Sequence, residues 1–271
     1  MLSRVLSGLL MAASIIGILL FTPMYVLGLV VFAVLPLAVL EFQAISRPQA
    51  DPFDRVTLVV ATYIASLYPV GPALGLTHYG QHLALVGGFG LLCMARLFRP
   101  RPIEESMARL AADALAFIYV SLTFPLIFLL RGMPEGGYVV LMVMAITFGA
   151  DTGAYFCGRL FGRRKLYELI SPNKTMAGAL GAVTTGVLVA FMARSFFPGH
   201  DTLTVVDCIV LGAVGALLGI CGDLFESMLK RAYGVKDSGT LIPGHGGALD
   251  RIDALLFVGP FAYFYLELFA R

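Results

Sequence analysis

Nine apolar stretches, each close to the length that crosses a bilayer, divide this chain into hydrophobic segments joined by polar connections. They run at about 5–22, 24–42, 56–74, 82–98, 110–130, 137–157, 178–196, 204–224 and 252–270. A spanning helix needs roughly 20 mostly apolar residues, and within hydrocarbon its backbone groups must be satisfied inside the segment. The expected fold class is therefore an all-α polytopic membrane protein. Composition agrees, because only 13% of the residues are charged, about half the share in soluble domains. A net charge of +2 argues against a strongly basic nucleic-acid surface. Cys93, Cys157, Cys208 and Cys221 lie in apolar runs without CxxC spacing and read as small buried hydrophobes. Arg4 precedes the first apolar run, but no A-x-A-like cleavage site follows, so that run is expected to be an uncleaved span.

Orientation follows from the positive-inside rule. With nine spans, one side collects Arg4, Arg47, Arg55, Arg96, Arg99, Arg101, Arg109, Arg159, Arg163, Arg164, Lys165, Lys174, Lys230, Arg231, Lys236 and Arg251, leaving Arg131, Arg194 and Arg271 opposite. Dropping the weakest run, 82–98, would flip every later connection and weaken the asymmetry. The expectation is a cytoplasmic N-terminus, with about five spans in 1–135 and four in 136–271. Neither end carries a recognisable soluble domain, and no repeat or low-complexity tract interrupts the spans.

The polar residues then gather on one face. Ionisable groups inside spans are costly and mark polar cavities or partners. Asp151 falls near the cytoplasmic end of the sixth span, Asp223 and Glu226 at the exit of the eighth, and Asp250, Arg251 and Asp253 at the start of the ninth. Ser171-Pro-Asn-Lys-Thr175, with Asn173 and Lys174, leads into the seventh from the same side. Asp223, Ser227 and Lys230 are spaced to share one helical face, as are Asp250 and Asp253. Mg²⁺ suits such carboxylates, since it takes one or two of them together with substrate phosphates. Leu241-Ile-Pro-Gly-His-Gly-Gly247 is a turn whose bare backbone can approach phosphates, flanked by Lys230, Arg231, Lys236 and Arg251. His245 reads equally as a ligand, an acid–base group or a turn residue. Asp113 reads as a helix-start charge and Asp207 as a structural residue at the outer end. Arg163, Arg164 and Lys165 read as topology signals or head-group contacts.

From Ser227 to Asp253 the sequence is SMLKRAYGVKDSGTLIPGHGGALDRID. It closely resembles the signature of the phosphatidate cytidylyltransferases (CDP-diacylglycerol synthases), which runs S-x-x-K-R, K-D, H-G-G, D-R-x-D. The matching positions are Ser227, Lys230 and Arg231; Lys236 and Asp237; His245, Gly246 and Gly247; and Asp250, Arg251 and Asp253. Asp151-Thr-Gly-Ala-Tyr155 with Gly158-Arg159, and Ser171–Thr175 with Gly178, resemble further family elements. Ala177 stands where the family usually has an acidic residue, and Ala248 where it has a larger aliphatic one.

The resemblance implies that CTP and phosphatidic acid are joined into CDP-diacylglycerol with release of pyrophosphate. It implies a site on the cytoplasmic face of the inner membrane, with Asp223 and Asp250 on Mg²⁺, alone or with a second cation. Lys230, Arg231, Lys236, Asp237, His245 and Arg251 would serve the reaction; Asp151, Asn173, Lys174, Ser227, Gly246, Gly247 and Asp253 would line the substrate cavity. Membrane lipids are expected neighbours, and a homo-oligomer remains open. Two other functions are compatible with parts of the pattern. A CTP-dependent polyprenol or lipid-alcohol kinase would release CDP instead of pyrophosphate. A transporter with an acidic site would consume no CTP, and would be expected to show repeated halves and midplane charges. The D-G-x-x-A-R motif of CDP-alcohol phosphotransferases is absent.

Overall fold

Every one of the nine expected stretches is helical in the computed structural model, which describes residues 2–196, 203–239 and 246–270. In chain order the helices are α1 (Leu2–Phe21), α2 (Met24–Ser46), α3 (Pro52–Val70), α4 (His78–Phe98), α5 (Ile103–Ser121), α6 (Leu126–Arg131), α7 (Gly136–Phe161), α8 (Met176–Phe196), α9 (Val205–Ala232), α10 (Leu249–Ile252) and α11 (Leu255–Phe269). Among the described residues, eight helical segments are long and apolar enough to cross a membrane, the first of them α2. Large apolar side chains such as Leu83, Val86, Leu180 and Leu188 stand exposed on the outer faces of α4 and α8. A water-soluble protein rarely shows so much apolar surface, and a bilayer covers it. The protein is a multi-pass α-helical membrane protein.

Two expected spans are broken. The fifth is split into α5 and α6 around Pro125, which has no N–H to continue the ladder. The ninth begins with the short α10 before α11. A two-stranded antiparallel hairpin precedes α8: β1 (Lys165–Tyr167) pairs with β2 (Ser171–Thr175), so Lys174 sits on a strand rather than in an irregular connection.

Neighbouring helices pack pairwise, α3 on α4 and α7 on α8 on α9, while α2, α6 and α11 join the two groups. One continuous apolar core runs through both halves and includes Leu35, Phe42, Leu58, Phe117, Ile146 and Leu256. Where lipid removes the hydrophobic drive for helices to associate, close approach of small residues replaces it. A Cβ added at Gly212 would lie 2.5 Å from the Val187 Cα, so α8 and α9 touch backbone to backbone.

A buried charge cluster ties α2, α3, α4 and α5 together. Arg47 pairs with both Asp54 and Asp113; Arg96 donates to Asp54 at 2.9 Å, and Gln43 Nε2 donates to Asp113 Oδ1 at 2.8 Å. Asp113 is thus corrected from a helix-start charge to an interior one, because α5 begins at Ile103. Arg47 and Arg96, counted above as connection charges, are likewise buried. Asp207 keeps its structural role: it closes a capping box with Thr204 at the start of α9 and accepts from the Tyr265 hydroxyl at 2.7 Å. All four cysteines are free.

Candidate active site

The last three turns of α9 carry Asp223, Glu226, Ser227 and Lys230, and their helical spacing aims them at two neighbours. Toward the β-hairpin, Asp223 Oδ2 receives the Lys174 ammonium at 2.8 Å, while its Oδ1 accepts the Ser227 hydroxyl at 3.2 Å. Asn173, the residue before Lys174 on β2, is exposed. Asp151 on α7 is exposed and within electrostatic reach of both Asp223 and Lys174.

Toward α10, the Lys230 ammonium bridges Glu226 Oε2 and Asp250 Oδ1, each at 2.7 Å. Asp250 Oδ2 accepts the Ser238 N–H at 3.1 Å, the Ser238 hydroxyl at 2.8 Å and the Gly247 N–H at 2.8 Å. Hydrogen bonds to a charged carboxylate are among the strong ones, and here they hold the signature segment against the end of α9. Asp253 lies one turn beyond Asp250, close enough for its charge to act on Asp223, Asp151 and Lys230. The structure thus brings Asp151, Lys174, Asp223, Ser227, Lys230, Asp250 and Asp253 into one region, from four separate elements.

Other expected site residues stand apart from this lattice. Arg231, Lys236, Asp237 and Arg251 are exposed, and among the described residues none pairs with a site carboxylate. Arg231 donates to the Val235 carbonyl, at 3.3 Å. His245 lies outside the described residues; of the glycine-rich turn only Gly246 and Gly247 are described.

The approach of α10 and α11 to α9 depends on Gly222. A Cβ there would lie 2.5 Å from the Asp253 carbonyl oxygen and 2.9 Å from the Ala254 Cα. Since these are backbone atoms, Gly222→Ala has to push the two helices apart. Such overpacking costs about 1–3 kcal/mol. It is expected to lower Tm in detergent and to reduce activity more than Ala substitution at lipid-facing Leu217. Equal activity in the two variants would show that the contact is not needed.

Three residues of the region escaped the sequence reading of the site. Glu226 was noticed only as a polar residue at a helix exit, yet it is 1% exposed and holds Lys230. Ser238 is buried between Asp250 and Glu41. Glu41 comes from α2, far outside the signature, and accepts from the backbone of residues 248 and 249. The only hint was a lone carboxylate closing the long apolar run of the second span.

Oxygen donors of this kind suit a hard divalent cation. Among the described residues no three His, Cys, Asp or Glu side chains form an all-protein cage. Mg²⁺ seldom uses one, taking instead one or two carboxylates with substrate phosphates and water. Asp223, with a side chain 41% exposed, and Asp250, whose Oδ1 meets the Lys230 ammonium, fit that requirement.

Fold and site together define a multi-pass membrane protein whose carboxylate–lysine lattice lies toward one end of its helices. The chain belongs to the cytidylyltransferase family, whose model matches residues 2–269. Phosphatidate cytidylyltransferase of Haemophilus influenzae is 34% identical over 285 aligned residues, covering 97% of each chain. The Thermotoga maritima protein of that name is 35% identical over 209 residues, 76% of each chain. That of Bacillus subtilis is 40% identical over 159 residues, 58% of each.

Proposed function

We propose that the protein is a phosphatidate cytidylyltransferase of the inner membrane, with its site on the cytoplasmic face. Three things support this: the family match along nearly the whole chain, its similarity to phosphatidate cytidylyltransferases, and the signature at 227–253. The observation that carries it is the pairing of Lys174 with Asp223 and of Lys230 with Asp250, which sets two cations and two carboxylates at the meeting of α9, α10 and the hairpin. The excess of Lys and Arg on that side supports the cytoplasmic placement.

In the reaction, a phosphate oxygen of phosphatidic acid attacks the α-phosphorus of CTP. The new P–O bond forms as the bond to the β-phosphate breaks, and pyrophosphate leaves with the bonding electrons. The substrate brings its own nucleophile, so the protein's task is positioning and charge neutralisation. Asp223 and Asp250 would hold Mg²⁺, which supplies Lewis-acid neutralisation of the phosphate oxygens. Lys174 and Lys230 present ammonium groups beside those carboxylates, and the exposed Arg231, Lys236 and Arg251 offer cations for the triphosphate or the lipid phosphate. Asp151, Ser227 and Asp253 would line the substrate cavity.

Purified protein given labelled CTP, phosphatidic acid and Mg²⁺ is expected to form a liponucleotide and pyrophosphate in equal amounts, and to stop on addition of chelator. Release of CDP with a phosphorylated lipid alcohol would replace this function with that of a kinase. Activity unchanged by chelator would remove the divalent ion.

A further inference from the structure

Glu41 is half-buried near the C-terminal end of α2, in the half of the chain that carries none of the signature. Its Oε1 accepts the Ala248 N–H at 2.9 Å, and its Oε2 accepts the Leu249 N–H at 2.8 Å and the Ser238 hydroxyl at 3.1 Å. The first two donors open α10, the turn that bears Asp250. The third also reaches Asp250 Oδ2 at 2.8 Å, and Ser238 Oγ in turn accepts the Asp250 N–H at 3.3 Å. One hydroxyl therefore sits between two carboxylates, its single proton serving one or the other, and both carboxylates grip the same loop.

The glycines of the signature fit around this grip. A Cβ at Gly247 would collide with the Glu41 carboxylate and the Ser238 hydroxyl, and one at Gly239 would lie 2.6 Å from Glu41 Oε1. Gly246 has φ of 80°, and a Cβ there would meet Asp250 Oδ2 at 2.5 Å. In this structure the two glycines before α10 make room for side-chain carboxylates, one from α2 and one from α10 itself.

We propose that Glu41 is a positioning residue of the reaction: clamping the Ala248 and Leu249 amides and the Ser238 hydroxyl, it fixes Asp250 where Lys230 and the substrates meet it. The proposal rests on the cytidylyltransferase reading for its activity readout. Glu41→Gln keeps the shape, but the amide has one acceptor oxygen and would turn an NH₂ toward a backbone N–H or the Ser238 hydroxyl. Partners that orient a ligating or catalytic group typically carry about 10–100-fold in activity. Glu41→Gln is expected to lose that much in kcat, with KM for phosphatidic acid little changed. Glu41→Asp, which keeps the charge with a shorter reach, should recover part of it.

Amide hydrogen exchange gives a readout that does not depend on turnover. In Glu41→Gln, exchange should speed up at 246–250 while α3 and α7 stay as in the wild type. Asp207→Ala, which breaks the capping box at the other end of α9, serves as the structural control and should lower Tm without lowering kcat. Wild-type kcat together with wild-type exchange at 246–250 in Glu41→Gln would overturn the proposal. So would a kcat loss accompanied by uniformly faster exchange in every helix, because Glu41 would then only support the fold. A wild-type protein that makes no liponucleotide overturns the reaction reading instead, and the exchange comparison still decides whether Glu41 orders this loop.

Discussion

Asp250→Asn is expected to reduce turnover by about 10³-fold, roughly 4 kcal/mol of transition-state stabilisation, while the helices remain folded. In the wild type Asp250 Oδ1 meets the Lys230 ammonium, and Oδ2 meets three donors from Ser238 and Gly247. No orientation of an asparagine serves both sides. With its oxygen toward the loop, its NH₂ faces Lys230; reversed, the NH₂ faces two backbone N–H groups. The negative charge that would hold Mg²⁺ is lost in either case. Asp223→Asn should have a similar effect on activity with a smaller effect on the loop, since among the described residues Asp223 meets Lys174 and Ser227 and no backbone donor. Steady-state assay alongside size-exclusion profiles and thermal unfolding in detergent checks this. Near-normal turnover in both variants would remove the two aspartates from the mechanism.

The largest effect on stability is expected at Arg47. Its guanidinium serves both Asp54 and Asp113, so Arg47→Met leaves two buried carboxylates facing the single guanidinium of Arg96. Removing one partner of a buried charge network costs about 3–5 kcal/mol. The double variant Arg47→Met/Asp113→Leu leaves a balanced Asp54–Arg96 pair, and it should recover part of that loss. This non-additivity marks groups that act as a unit. If the double variant is instead as unstable as the two single effects added together, the four charges do not form one network.

The spans were legible because crossing a bilayer is a property of one segment at a time: about 20 apolar residues suffice, whatever their neighbours. The ends were less legible. Hydropathy placed the start of the fifth span at 110, whereas α5 begins at Ile103 and takes Asp113 inside. A polar residue ends an apolar run on paper, but a helix continues through it when another helix supplies the opposite charge. The break between α5 and α6 at Pro125 was not read from hydropathy, which ran on from 110 to 130, and the short strands holding Lys174 left no periodic trace.

The site divides in the same way. Asp223, Ser227 and Lys230 could be placed on one face from helical spacing, and Asp250 with Asp253 likewise. Lys230, read from the sequence as an anion-binding cation, is paired with Asp250, and Lys174, read as a cavity-lining residue, with Asp223. Glu41 could not be assigned, because its partners include a backbone amide 208 positions away in the chain, and an amide looks the same at every residue.

By itself the sequence determined an all-helical membrane protein and pointed to one short segment as the proposed seat of the chemistry, since both readings depend on residue type and local spacing. Only the tertiary structure decided which carboxylate meets which lysine, that Arg47 and Arg96 are buried, and that α2 reaches into the signature loop. Those outcomes depend on helices packing closely enough for groups distant in sequence to come within hydrogen-bond range, and helical period along any one segment carries no information about that.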